Sequence, residues 1–119
     1  MPAIPFLSGI AGRIEPRVQT VASSATVTPN ADADDAVVVT AQAAAITLAN
    51  PSGTPVEQQK LLIRLKDNGT ARAITFGAQY RAMGTALPTT TTISKWLTIA
   101  LIWSATDSKW DCVAAPVEA

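Results

Sequence analysis

Apolar and polar residues alternate along several short stretches of this chain, the pattern of strands that bury one face. The clearest example is the run 60–66, whose charged residues fall between apolar ones and so point to the opposite face, toward water. Its inward residues are Leu61, Ile63 and Leu65. Asn68 and Gly69 follow, a pair that favours a tight turn, and a second alternating run covers 71–76. The sequence therefore predicts a β-hairpin between these two runs.

Further apolar or β-branched runs, separated by turn-forming residues, bring the predicted total to about eight short strands. The longest is 95–103, which we expect to be central and covered on both sides because its second face, with Trp96, Thr98, Ala100 and Ile102, is only half polar. The segment 109–115 is expected to return antiparallel to it. The predicted fold class is therefore all-β, as an antiparallel β-sandwich or jelly roll. The alanine-rich stretch 41–45 fits one helical turn, a strand or a connector.

The first 22 residues form a different kind of segment, in which apolar residues are separated by proline and glycine. These breakers disfavour both helix and regular strand, so we predict an extended N-terminal arm over 1–22 and a β-sandwich domain over 23–119. Apolar side chains on such an arm need a surface to cover them, either the parent domain or, as we expect, a neighbouring subunit. The predicted partner-binding residues are Ile4, Phe6, Leu7, Ile10, Arg13, Ile14, Arg17 and Val18.

Composition narrows the classes of partner. The formal net charge is +0 and the pI is about 6.1, which argues against nucleic acid because phosphate neutralisation requires a basic surface. No apolar run has the length of a membrane-spanning helix, so no membrane association is predicted. Only 15% of the residues are charged while 48% are hydrophobic, a balance that favours surface hidden in protein–protein contacts. We therefore expect a homotrimer or another homo-oligomer.

The residues needed for catalysis are scarce. The chain has no histidine, which removes the commonest general base and most zinc and iron ligand sets. Its single cysteine, Cys112, lies in a predicted strand, where a buried, inert thiol is expected. The acidic residues fall mostly at predicted turns and termini; Asp32, Asp34 and Asp35 share one loop, without the glycine turn and distal glutamate of an EF-hand. We predict a solvated loop there, no catalytic residues, no metal, no cofactor and no enzymatic activity.

The three tryptophans, Trp96, Trp103 and Trp110, allow two interpretations. In a small β-sandwich they are expected in the core, where their large apolar area is buried. Exposed in a shallow groove, they would instead stack on sugar rings. The first arrangement fits a structural protein and the second a carbohydrate-binding module.

Three segments resemble small structural proteins of tailed-phage virions: ITLANPSGTP (46–55), LKDNGTARAITFG (65–77) and DSKWDCVAA (107–115). The resemblance covers about two thirds of the chain, from 44 to 119, and does not include the arm. It implies a β-sandwich used for display or cementing, with no catalytic residues to transfer.

Taken with these features, the resemblance implies a virion protein, made in the host cytoplasm, that decorates or cements a capsid. Its arm would bind the major capsid protein or other virion subunits, with a gain from apolar burial that the ordering of the arm largely offsets. The alternative is a tail-fibre module that binds a receptor or carbohydrate through exposed tryptophans.

Overall fold

The computed structural model describes residues 15–119, and this part of the chain is all-β, without a helix. Nine strands form two sheets. The strands, in chain order, are β1 (Val18–Val21), β2 (Thr26–Val27), β3 (Ala36–Gln42), β4 (Ile46–Leu48), β5 (Lys60–Asp67), β6 (Ile74–Phe76), β7 (Tyr80–Ala82), β8 (Leu97–Ser104) and β9 (Lys109–Ala114). The larger sheet has the order β1-β3-β5-β8-β9-β7, and the smaller one has the order β2-β4-β6.

The first six strands alternate between the two sheets, so the chain winds around a common core. Each return to a sheet runs in the same direction as the strand before it, and β1, β3 and β5 pair in parallel, as do β2, β4 and β6. The pair β7 and β9 is parallel as well. Only β5 with β8 and β8 with β9 are antiparallel among the named strands. The prediction of an antiparallel architecture is therefore wrong for most of the pairs.

The hairpin predicted at Asn68 and Gly69 is also wrong. A turn forms there, with Gly69 at a positive φ of 106°, but it carries the chain from β5 in the larger sheet to β6 in the smaller one. Ile74 pairs with Ile46 of β4 rather than with any residue of β5. The turn residues set a local change of direction, whereas the partner of the next strand is chosen by the side chains that it buries.

Residues of both sheets contribute to one hydrophobic core. The alternation seen in the sequence is preserved: in β5 the buried residues are Leu61, Ile63 and Leu65, and in β8 they are Leu97, Ile99, Leu101 and Trp103. Val27, Ile46, Leu48 and Ile74 of the smaller sheet complete the facing layer. Trp110 and Cys112 of β9 are buried in the same cluster, as expected for Cys112, and burial raises the pKa of its thiol.

The longest predicted strand lies where expected, between β5 and β9, and β9 returns antiparallel to it. Its second face does not have the cover that we predicted. Thr98, Ala100 and Ile102 are only half-buried, because no second layer of the described chain lies over them. In the alanine-rich stretch left open above, Ala41 and Gln42 belong to β3 and the residues after them form a connector.

Candidate functional site

An apolar groove crosses the outer face of the larger sheet, the face turned away from the core. It has a volume of about 700 Å³ and extends from the start of β1 to β9. We call it the outer groove. Its lining residues are Pro16, Val18, Asp35, Ala36, Gln58, Gln59, Lys60, Leu61, Leu62, Ala100, Leu101, Ile102 and Val113.

The strand register explains why this groove is apolar. Val18 is paired with Ala36, Ala36 with Leu62, and Leu62 with Ala100, so four neighbouring strands place apolar residues in one row. Val113 extends the row at the register shift between β8 and β9. The larger side chains remain substantially exposed: Val18 by 48%, Leu62 by 43% and Val113 by 44%. The row therefore forms a contiguous, partly exposed apolar patch on the outer face of the sheet, from the edge strand β1 to β9.

The start of β1 is fixed beside this groove by an ion pair. Arg17 donates to Asp35 from its backbone nitrogen at 2.8 Å and from Nε and Nη2 at 3.2 and 2.9 Å, while Nη1 donates to the Asp32 carbonyl at 2.8 Å. The carbonyl oxygen of Arg17 accepts from the amides of Asp35 and Ala36. Hydrogen bonds from the guanidinium hold the pKa of Asp35 below its usual range.

These contacts place two of the predicted partner-binding residues. The side chain of Arg17 is engaged with its own domain, and Val18 lines the outer groove as the first residue of an edge strand. The larger sheet thus begins within the predicted arm, four residues before residue 22. The other six predicted residues lie outside the described residues: Ile4, Phe6, Leu7, Ile10, Arg13 and Ile14.

The loop with three aspartates is organised more tightly than the solvated loop predicted from sequence. Asp34 is buried and accepts from the amide of Asn30 at 2.8 Å and from Gln19 Nε2 at 2.9 Å. Asp32 accepts from the amide of Thr54 at 2.9 Å. These carboxylates therefore order the loop between β2 and β3 and the adjacent strand β1.

Another carboxylate, Asp67, is almost completely buried at the end of β5, with 3% of its surface exposed. It accepts from the amides of Gly69 at 3.0 Å and Ser94 at 2.9 Å and from Thr91 Oγ1 at 2.7 Å. Burial alone would raise the pKa of Asp67, but these hydrogen bonds and the charge of Arg72 outweigh it and lower the pKa. The side chain thereby ties three loop positions together and has a structural role.

A second, more polar cavity of about 400 Å³ lies on the same outer face, next to Trp96. Arg64 Cζ is 4.7 Å from the centroid of the Trp96 ring and Lys66 Nζ is 5.7 Å from it, so both cations contact the indole rather than only water. Glu118 accepts from the Trp96 amide at 3.0 Å, which lowers the pKa of this carboxyl. Trp103 and Trp110 are buried, as the core interpretation predicted.

Within residues 15–119, no group of three or more carboxylate or thiol side chains is arranged to hold a metal ion. Asp111 and Asp107 both accept hydrogen bonds from Arg81, at 2.6 and 3.1 Å, which raises the pKa of this arginine.

Among residues 15–119, no helix is long and apolar enough to cross a membrane.

Leu62 and Val113 were not predicted to be exposed apolar residues, although the sequence pattern of β5 indicates it for Leu62. Leu62 is an apolar residue at an outward position of an otherwise regular alternation, between the inward Leu61 and Ile63. Val113 had no such signal, because its exposure depends on the register shift against β8.

Comparison of the chain with models of protein families, with curated proteins and with solved structures gave no match.

Proposed function

We propose that this protein is a non-enzymatic structural protein of a tailed-phage virion that decorates or cements the capsid. Its two sheets would form a β-sandwich, and the N-terminal arm would bind the major capsid protein or other virion subunits. The observation that carries the proposal is the outer groove. A sheet that leaves Val18, Leu62 and Val113 exposed along one row of its outer face is suited to cover by another subunit.

The gain from covering one outer groove is small. Covering the exposed parts of Val18, Leu62 and Val113 contributes on the order of 1 kcal/mol for each side chain, before the entropy of association is counted. A single groove would therefore associate weakly. Several such contacts, linked in one homotrimer or other homo-oligomer and assisted by the arms, would hold together much longer.

The proposal is tested on particles. We expect the protein to be a stoichiometric component of the purified virions with which it is produced. A full-length variant with serine in place of Ile4, Phe6 and Ile10 should be retained on particles at least about tenfold less than the original chain. The matched control replaces Val56, an exposed loop residue outside the groove, by serine and should be retained normally. Virions that lack the protein, or equal retention of all three chains, would contradict the proposal.

A second candidate function is a tail-fibre module that binds a receptor or carbohydrate, and the Trp96 cavity is the observation that favours it. An indole bordered by Arg64 and by the carboxylate of Glu118 offers a sugar both an apolar surface and hydrogen-bonding groups. For this function we expect Trp96→Ala to weaken binding in a glycan-array measurement by about tenfold or more, and Tyr80→Phe to leave it unchanged because Tyr80 is buried elsewhere. Absence of glycan binding by the original chain would remove this candidate.

A further inference from the structure

We propose that the cavity next to Trp96 binds a saccharide that carries a carboxylate, such as a uronic acid or a sialic acid. The inference rests on the second candidate function, a carbohydrate-binding module, and names the class of sugar that this module would take. The cavity shares no lining residue with the outer groove, so a subunit that covers the groove does not have to fill the cavity.

The strand register brings two cations to one aromatic ring. Arg64 and Lys66 occupy outward positions of β5, and Arg64 is paired with Thr98 of β8, two residues after Trp96. The guanidinium carbon of Arg64 is 4.7 Å from the centroid of the indole, and the Lys66 ammonium is 5.7 Å from it. These cation–π contacts hold both positive charges beside the indole that lines the cavity.

The two cations lack an acidic partner within the part of the chain that the structure describes. The ion pairs formed there belong to Arg17 and Arg81, and none includes Arg64 or Lys66. Arg64 is exposed and lines the cavity, so its N–H groups can donate to a ligand. A guanidinium offers two parallel donors to a carboxylate, and the nearby ammonium adds a second positive charge. The pair therefore favours a ligand with an anionic group.

The cavity also carries a hydrogen-bond acceptor. Glu118 Oε1 accepts from the Trp96 amide at 3.0 Å, and the Glu118 amide donates to the Trp96 carbonyl at 2.8 Å, which fixes this residue beside the ring. The hydrogen bond from the Trp96 amide and the neighbouring positive charges lower the pKa of Glu118, so at neutral pH its carboxylate only accepts. Hydroxyl groups on the ligand would supply the donors.

An acidic sugar combines the features that this cavity requires. Its carboxylate pairs with Arg64 and Lys66, its hydroxyls donate to Glu118, and the C–H groups of its ring contact the indole. A phosphate group, with about two negative charges at neutral pH, would be repelled more strongly by Glu118. The volume of about 400 Å³ lies within the range of about 300–1,000 Å³ found for small-molecule sites.

An acidic peptide fits less well, because the strands beneath the cavity have no free edge. β5 lies between β3 and β8. The beginning of β8 is paired with β5 on one side and bridged to Val117 on the other, where the Thr98 amide donates to the Pro116 carbonyl at 3.0 Å. A peptide therefore cannot add as a strand over Arg64 and Trp96, and only side chains are available to recognise the ligand.

Binding to matched saccharides tests the inference on the isolated, full-length chain. The probes are oligosaccharides of galacturonic, glucuronic, mannuronic and sialic acid, each paired with its carboxyl methyl ester, which keeps the ring and the hydroxyls but loses the charge. We expect at least one acid to bind at least about tenfold more tightly than its ester in isothermal titration calorimetry. Added salt should weaken the binding of that acid more than the binding of its ester.

Arg64→Gln should weaken the binding of that acid by at least about tenfold and change the binding of its ester much less. Lys109→Gln is the matched control, since Lys109 is paired with Ser104 at the other end of β8. This variant should bind the acid as tightly as the original chain. Far-UV circular dichroism checks that both variants are folded.

Absence of binding by all four acids, equal affinity of each acid and its ester, or unchanged binding by Arg64→Gln would overturn the inference. Tighter binding of inorganic phosphate or of an oligoglutamate peptide than of any acidic saccharide would overturn it as well. Esters that bind as tightly as the acids would leave the carbohydrate-binding function standing, so the two failures are distinguishable. The measurement needs no virion, so capsid decoration is tested separately by particle retention.

Discussion

Replacing Asp67 by alanine is expected to lower the free energy of unfolding by about 3–5 kcal/mol. The carboxylate is buried and accepts three hydrogen bonds, from the amides of Gly69 and Ser94 and from the hydroxyl of Thr91. Truncation leaves these donors inside the protein without an acceptor. Two separate loops lose their common attachment to the end of β5 as a result. Urea unfolding followed by tryptophan fluorescence measures the change.

The same substitution should alter the dependence of stability on pH. The pKa of Asp67 is lower in the folded protein than in an unfolded chain, where it is about 3.9. The carboxylate therefore stabilises the fold fully above that pH, and its contribution is lost as the pH falls through the lower, folded-state pKa. The difference between the original chain and Asp67→Ala should thus be largest near neutral pH and shrink in acid. A difference that is constant from neutral pH to about pH 2 would contradict this role.

Asp107→Ala is the matched control. Asp107 is also an aspartate that pairs with Arg81, and in the variant Arg81 still has its ion pair with Asp111. The side chain of Asp107 is half exposed, where water replaces the lost contact, so its removal should have little effect on unfolding. If Asp107→Ala lowers the free energy of unfolding strongly, or Asp67→Ala hardly changes it, the stabilising role assigned to the buried carboxylate of Asp67 is wrong.

Leu62→Asp is expected to abolish association of the protein with its own copies while leaving the monomer folded. Leu62 is paired with Ala36 and Ala100 at the middle of the outer groove, so a carboxylate there would be desolvated in any assembly that covers it. In the monomer the same carboxylate remains in water, with Lys60 and Arg64 on the same face of β5. We expect the dissociation constant to rise by at least about a hundredfold.

Val56→Asp introduces the same charge at a residue that is 68% exposed and does not line the groove, which makes it the control. Sedimentation velocity of the three proteins measures association, and far-UV circular dichroism checks that each is folded. Equal self-association of Leu62→Asp and the original chain would show that the outer groove is not the contact surface.

The core was predictable because it depends on local periodicity. Strands β5 and β8 bury every second residue, as the alternation around Leu61 and around Leu97 predicted. The pairing of strands was not predictable in the same way. Asn68 and Gly69 specify a turn but not the sheet that the following strand joins, which is decided by contacts such as that of Ile74 with Ile46.

The candidate site was predictable only in part. The half-polar second face of β8 predicted that another layer covers it. Ala100 and Ile102 on this face line the outer groove, which no described residue covers. Leu62 interrupts the alternation, yet its position beside Ala36 and Ala100 follows from a register that spans three strands. The engagement of Arg17 with Asp35 was also hidden, because the two residues are 18 positions apart and meet only when β1 pairs with β3.

The mass of the full-length chain in solution, measured by sedimentation equilibrium over a wide concentration range, tests the central claim most directly. If another copy covers the exposed apolar face of the larger sheet, we expect a closed homo-oligomer in which Leu62 is protected from covalent surface labelling. A monomer at every concentration, with Leu62 freely labelled or shielded by the chain's own first 14 residues, would contradict the account.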